Sequence, residues 1–383
     1  MKKWCTMISL DALLVAVALA CTTGPAVRAG RERNESPAGA ALDTTKLDEF
    51  LARACGEWSE GCFLQLVRDH ETLYEGTVGR FDRRKPIPIA SATKWLTGAV
   101  VLTLVDEGKL GLDDSVSRYL SEFGGGKARI TVRQLLSHMS GLPMSDPTLQ
   151  RRDITLKQSV EAIASAPLMS PPGELCIYGD ASVQVAGRIA EIASRTDAPS
   201  GQAWKALFAA RLARPLEMTR TSYEGAIPTD NPHLAGGAFS TAADYANFLV
   251  MLSNGGQFRG RRILSEKAVE EMFRDQTAGK PLRFNPFQSF ADLRPGWREV
   301  RYGICNWLER FDGASGRTLA ASAPGVFGFC PWIDFEDNIV GVFAAESGMQ
   351  KAFPVYLELK ALIKELGIAR QQPAGAASGR DRR

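Results

Sequence analysis

The chain has 383 residues, 45% of them hydrophobic and 23% charged, and a net charge of +3. That composition belongs to a globular chain long enough for a large core or two lobes. The small excess of positive charge excludes a nucleic-acid partner, because much of it sits in terminal runs, residues 31–34 (RERN) and 380–383 (RDRR), which read as solvated tails.

Residues 1–29 read as an export signal. MKKW is a basic start, and residues 12–20 (ALLVAVALA) form an apolar run too short to span a bilayer. Ala18-Leu19-Ala20 and Val27-Arg28-Ala29 both fit a small-x-small cleavage site. Cys21 follows Ala20, which makes a bacterial lipid anchor the alternative to free secretion. Either route predicts a chain in the periplasm or cell envelope, an oxidising setting. Residues 30–44 read as a linker, 45–369 as the folded domain and 370–383 as a disordered tail.

Five cysteines follow the signal. Cys55 and Cys62 flank a short polar turn and are candidates for one disulfide. Cys305 and Cys330, in two late strand-like runs, are candidates for another, which leaves Cys176 unpaired. The alternative is five small core residues.

Within the domain, residues 47–56 carry an amphipathic helical pattern, and 61–82 alternate around a polar turn as a β-hairpin does. Residues 90–105 read as a mostly apolar helix. The middle is mainly helical: 131–139 from a Thr131 cap, 180–196, 201–213, 240–256 from a Ser240 cap to a Gly255-Gly256 stop, and 265–276 from a Ser265 cap. Strand patterns return at 300–311, 318–334 and 338–347, and a last helix spans 355–368. Strands at both ends with helices between predict an α+β fold. One antiparallel sheet is shared by the two ends of the chain and flanked by helices, with an inserted helical lobe and a site in the cleft between them.

The apolar helix poses a chemical question, because Lys94 lies one turn inside it, three residues after Ser91. Positions three apart share a helix face. Pro86 and Pro88 keep the helix from starting earlier, so Ser91 falls in its first turn, where free backbone N–H groups favour developing negative charge. A serine hydroxyl needs a base to become a nucleophile, and a desolvated lysine of lowered pKa is one. Tyr178 lies just before the 180–196 helix, with Asp180 as its expected N-cap. A tyrosine beside a lysine shares the base role. In residues 322–334 the glycines let backbone approach closely, and the N–H groups of Val326 and Ser91 are candidates for a two-donor oxyanion hole.

Taken together, these stretches resemble the serine β-lactamase and penicillin-binding-protein superfamily. The nearest branch is the class C β-lactamase-related one, with family VIII carboxylesterases and D-alanyl-D-alanine carboxypeptidase-like proteins. The likeness covers about residues 45–365, through SATK, TVRQLLSHMSGLP, PPGELCIYGDASVQVAGRIAE, RPLEMTRTSY, AGGAFSTAADYANFLVMLSNGG and PGVFGFCPWID. It implies an acyl-enzyme mechanism with Ser91 as nucleophile, Lys94 as its base partner and Tyr178 as the tyrosine of a Tyr-x-Asn motif. Gly325 matches the glycine of a Lys-Thr-Gly or His-x-Gly motif. It implies no metal and no organic cofactor, and a small ester, amide or β-lactam as substrate.

Two departures bear on substrate and mechanism. Tyr178-Gly179-Asp180 puts a carboxylate where the family has an amide. Facing the cleft, Asp180 would hold Lys94 charged; turned to cap its helix, it would not. Ala323-Pro324-Gly325 lacks the cation that meets a substrate carboxylate in the family, which favours neutral esters unless Ser322 or a nearby arginine substitutes. His138 reads as structural, and His70, His138 and His233 are scattered without metal-ligand spacing. No Gly-x-Ser-x-Gly turn occurs. The expectation is a monomeric or weakly oligomeric serine hydrolase, first a carboxylesterase, next a peptidase or β-lactamase. A non-catalytic envelope binding protein is the alternative of another class.

Overall fold

The hydrophobic alternation at the two ends of the chain builds one sheet, as a computed structural model of the protein shows. The structure describes residues 44–225, 227–283, 285 and 300–368. The export signal, nearly all of the linker, the tail, Cys5 and Cys21 lie outside the described residues.

The chain opens with α1 (Thr45–Cys55), which turns Leu47, Phe50, Leu51 and Cys55 inward. A hairpin follows, β1 (Cys62–Arg68) and β2 (Glu71–Val78). Asp69 and His70 both take positive φ, +47° and +71°, the backbone that a tight hairpin turn requires. After β3 (Ile87–Pro88), one 3₁₀ turn leads into α2 (Thr93–Asp106), whose residues 93–104 are all buried. A helix apolar on every side belongs in the centre of a fold.

The helical lobe then contributes α3 (Val132–Leu136) and α4 (Leu156–Ser165), each opened by a reciprocal capping box, Thr131 with Gln134 and Thr155 with Gln158. It continues through β4 (Cys176–Ile177), α5 (Ala181–Ser194), α6 (Gln202–Phe208) and β5 (Phe239–Ser240). The helix α7 (Ala242–Ser253) is capped by Thr241, not Ser240. Ser240 is drawn instead into a short ladder opposite Ile87. After β6 (Gln257–Phe258), β7 (Arg261–Arg262), α8 (Glu266–Met272), capped by Ser265, and β8 (Leu282–Arg283), the chain returns to the sheet.

The returning strands are β9 (Arg301–Tyr302), β10 (Trp307–Phe311), β11 (Thr318–Ser322), β12 (Phe329–Asp334) and β13 (Ile339–Ala345). The run expected at 300–311 is broken by a turn between β9 and β10. The last helix, α9 (Met349–Glu365), starts six residues before the expected 355 and carries Pro354 in its interior. The antiparallel order is β2-β1-β13-β12-β11-β10-β9, with Cys62 opposite Ala345 where the two ends of the chain meet.

The period of two along β1 and β13 divides the core. Leu64, Leu66 and Phe343 face α1 and α9, while Phe63, Val67, Val342 and Ala344 face α2 and α7. The five cysteines of residues 44–368 are all unpaired and buried. Cys55 and Cys62 do come together, but as thiols: a hydrogen bond from Cys55 and burial push the Cys62 thiol well up. The expected Cys305–Cys330 bridge is absent because the two belong to different cores. Cys305, at φ +60° in the turn before β10, lies under α2, and Cys330 faces α9.

Contact between α2 and that turn requires Gly98, where an added Cβ would lie 2.8 Å from the Cys305 Cβ. Gly98→Val should therefore lower stability by about 1–3 kcal/mol through overpacking. Urea denaturation of the full chain checks this, and an unchanged midpoint would contradict the packing described.

Candidate active site

Ser91 sits in the turn that feeds α2, and its surroundings are fixed by backbone contacts. The Ile89 N–H donates to Ala238 O at 3.0 Å, and Ala90 takes φ +45°, an uncommon conformation for a residue with a Cβ. Lys94, one turn on, is 1% exposed. Its Nζ donates to Ser91 Oγ at 3.2 Å, to Asp180 Oδ1 at 2.7 Å and to Ala235 O at 3.0 Å. An ammonium has three N–H bonds, and all three have acceptors. The same nitrogen lies 4.8 Å from the centre of the Tyr178 ring.

Asp180 occupies the N-cap position of α5 but makes no capping bond. Its carboxylate faces the cleft instead, with Oδ1 on Lys94 and Oδ2 3.3 Å from His233 Nε2. Burial disfavours the charged form of Asp180, but Lys94 and His233 outweigh it and hold the carboxyl well below the usual range. For Lys94 burial alone would lower the pKa, and the charge of Asp180, aided by Tyr178, more than reverses that. The sequence-based expectation of a lowered lysine pKa is thus overturned by the direction in which Asp180 points.

Tyr178 is held in an aromatic box. Its ring centre lies 4.8 Å from His138, 5.0 Å from Trp307 and 5.9 Å from Tyr302. His138 is buried, with Nε2 3.1 Å from the Tyr302 hydroxyl, and burial together with the nearby Lys94 charge pushes it down to about 3. It is therefore a neutral wall at ordinary pH.

The third wall is the corner after β11. The Gly325 N–H donates to Phe329 O at 2.8 Å, and Val326 O accepts from the Met349 N–H at 2.9 Å. A Cβ on Gly325 would lie 2.2 Å from Ile89 O, so glycine is what lets this corner lie against the turn that carries Ser91. Among the described residues, neither the Ser91 nor the Val326 N–H has a backbone acceptor. Val326 and Phe327 are exposed beside them, whereas Ala323 is buried. Ser322, considered as a substitute for the missing cation, is fully buried and does not reach the cleft.

Sequence reasoning missed His233 and the Ala235 carbonyl. The signal available was the Gly236-Gly237 pair, where a Cβ would lie 3.1 Å from His233 Cε1 and 2.9 Å from His233 O respectively. Among the described residues there is no cluster of His, Cys, Asp and Glu able to hold a metal ion.

The β-lactamase family model matches residues 47–351. The chain belongs to the β-lactamase family. A crystal structure from Bacteroides dorei assigned to the β-lactamases superposes with a TM-score of 0.72 at 29% identity, over 85% of this chain and 99% of that one. Esterase EstB of Burkholderia gladioli is 32% identical over 196 residues, 44% of this chain and 48% of EstB. Protein flp of Staphylococcus aureus is 31% identical over 143 residues, 36% of this chain and 28% of flp. The matched stretch thus spans less than half the length of these two curated relatives.

Gly325→Val should displace the Val326 N–H from Ser91. Reaction of Ser91 with a fluorophosphonate is expected to slow by roughly 10²-fold, the effect of losing one oxyanion donor, with the circular dichroism spectrum unchanged. An unchanged rate would contradict the corner geometry.

Proposed function

We propose that the protein is a serine hydrolase that works through an acyl-enzyme on Ser91, with neutral carboxylic esters as substrates. The observation that carries this reading is the 3.2 Å contact between Ser91 Oγ and the buried Lys94 ammonium, at a helix start where the Ser91 N–H has no backbone acceptor. A charged, fully hydrogen-bonded Lys94 has no lone pair to offer and is not the resting base. In this mechanism Tyr178, boxed beside it, reacts as the phenolate, its own proton having passed to solvent; it takes the Ser91 proton, and the ammonium stabilises the phenolate oxygen.

Ser91 Oγ then attacks the substrate carbonyl, and the carbonyl oxygen gathers negative charge against the N–H groups of Ser91 and Val326. The tetrahedral intermediate collapses with loss of the alcohol, which takes the proton held by Tyr178. Water enters, gives its proton to Tyr178, and attacks the acyl carbon, and Ser91 leaves reprotonated. No charged side chain is offered at Ala323 to meet a substrate carboxylate, which favours neutral esters over anionic β-lactams and peptides. The likeness to a protein named as an esterase points the same way. By the reading of its first 29 residues, the enzyme acts in the periplasm or cell envelope.

A fluorophosphonate should label the wild-type chain and fail on Ser91→Ala. Tyr178→Phe should lower the labelling rate by about 10²-fold or more, the usual scale of a lost general base. Short-chain nitrophenyl esters should turn over faster than nitrocefin or D-Ala-D-Ala peptides. The reverse order would overturn the ester assignment, and no Ser91-dependent adduct would leave a binding protein.

A further inference from the structure

Asp180 and His233 form a second tier behind Lys94. A carboxylate 2.7 Å from an ammonium cancels much of the field that the ammonium exerts on its other neighbours, Ser91 and Tyr178. In this chain, however, the second oxygen of that carboxylate lies against a histidine. Oδ1 belongs to Lys94 and Oδ2 faces His233 Nε2 at 3.3 Å. We propose that His233 is a positioning residue that divides the Asp180 carboxylate between itself and Lys94, leaving the ammonium enough charge to favour proton removal by Tyr178. This rests on the hydrolase reading above and assigns a further residue to it.

The loop that carries His233 is built for the task. Ala235, two residues on, gives its carbonyl to Lys94 Nζ, so one segment holds the ammonium and the carboxylate together. The loop is tied to both helices that supply them. From α2, Thr97 Oγ1 donates to Leu234 O at 2.6 Å, and Thr93 Oγ1 accepts from the Ala238 N–H at 3.1 Å. From α5, Gln184 Oε1 accepts from the Leu234 N–H at 2.9 Å. Gly236 and Gly237 leave room for the imidazole to lie flat in its bend. The groups facing His233 are Asp180 and neutral Gln184 from α5 and, behind Asp180, Lys94 from α2. Asp230, on its own segment, is taken by Gln202.

The direction follows from geometry. With its second oxygen held against His233, the Asp180 carboxylate presents only Oδ1 to Lys94; freed from His233, it can turn both oxygens to the ammonium and cancel more of its field. His233→Ala leaves Asp180 wholly to Lys94. It should lower kcat for a nitrophenyl ester about tenfold and leave KM nearly unchanged. His233→Asn, which keeps a donor, should recover part of the loss. In an Asp180→Asn background the same His233→Ala change should cost no more than about twofold, since the charge to be shared is gone. An equal loss in both backgrounds would overturn the proposal and leave His233 as packing.

A second measurement needs no turnover. The chain has three histidines, so their imidazole proton resonances can be followed one by one in the full-length protein. Asp180→Asn should displace the His233 ring resonances and leave those of His70 in place. His233 resonances that ignore Asp180 would overturn the proposal directly. Absence of Ser91 labelling in the wild type would instead fall on the hydrolase reading.

Discussion

Burial of one ammonium organises the site. A lysine at 1% exposure is tolerated only if every N–H finds an acceptor and its charge finds a counter-charge. Those acceptors come from three places far apart in the chain: the start of α2, the start of α5 and the loop before β5. Satisfying Lys94 therefore pulls the central helix and the helical lobe to one point, with the Ser91 hydroxyl beside it. The counter-charge also sets the state of the lysine. Asp180, aided by Tyr178, outweighs desolvation and raises the Lys94 pKa; under the proposed mechanism, proton traffic then passes to the phenol beside it.

The rest of the fold brings backbone close to that point. Gly98 admits the Cys305 turn against the buried helix α2, and Gly325 admits the β11 corner against Ile89. Each glycine removes a Cβ that would otherwise meet the facing segment, at 2.8 Å for Gly98 and 2.2 Å for Gly325. The exposed donors at Ser91 and Val326 are a consequence of that second approach. Ala323 itself, buried and apolar, offers no charge to an anionic substrate.

Much of this was legible in the sequence where the signal is local. The hairpin, α2 with Ser91 at its approach (in the 3₁₀ turn that feeds it rather than its first turn), and the caps at Thr131 and Ser265 follow from periodicity and side-chain chemistry within a few residues. Ser240 and Thr241 are equally good caps, and a ladder contact with Ile87 chose between them. The start of α9 was hidden by Pro354, a residue that usually marks a beginning. Cysteine spacing brought Cys55 and Cys62 together but could not say that Cys305 and Cys330 face different cores. The charge of Lys94 was illegible for a sharper reason. An Asp180 that caps α5 and one that pairs with Lys94 are the same sequence, and a contact across 86 residues decides between them. His233 escaped notice because a lone histidine without metal-ligand spacing carries no local mark of its carboxylate partner.

The charge state of Lys94 is the proposition on which mechanism, base assignment and the role of His233 all turn. It is read most directly by heteronuclear NMR of the lysine side-chain Cε and Nζ resonances, with Lys94 assigned by comparison with Lys94→Arg, across pH 6 to 9. The account predicts an ammonium throughout, with no titration in that window. A Lys94 that loses its proton near neutrality would contradict it and return the base role to the lysine.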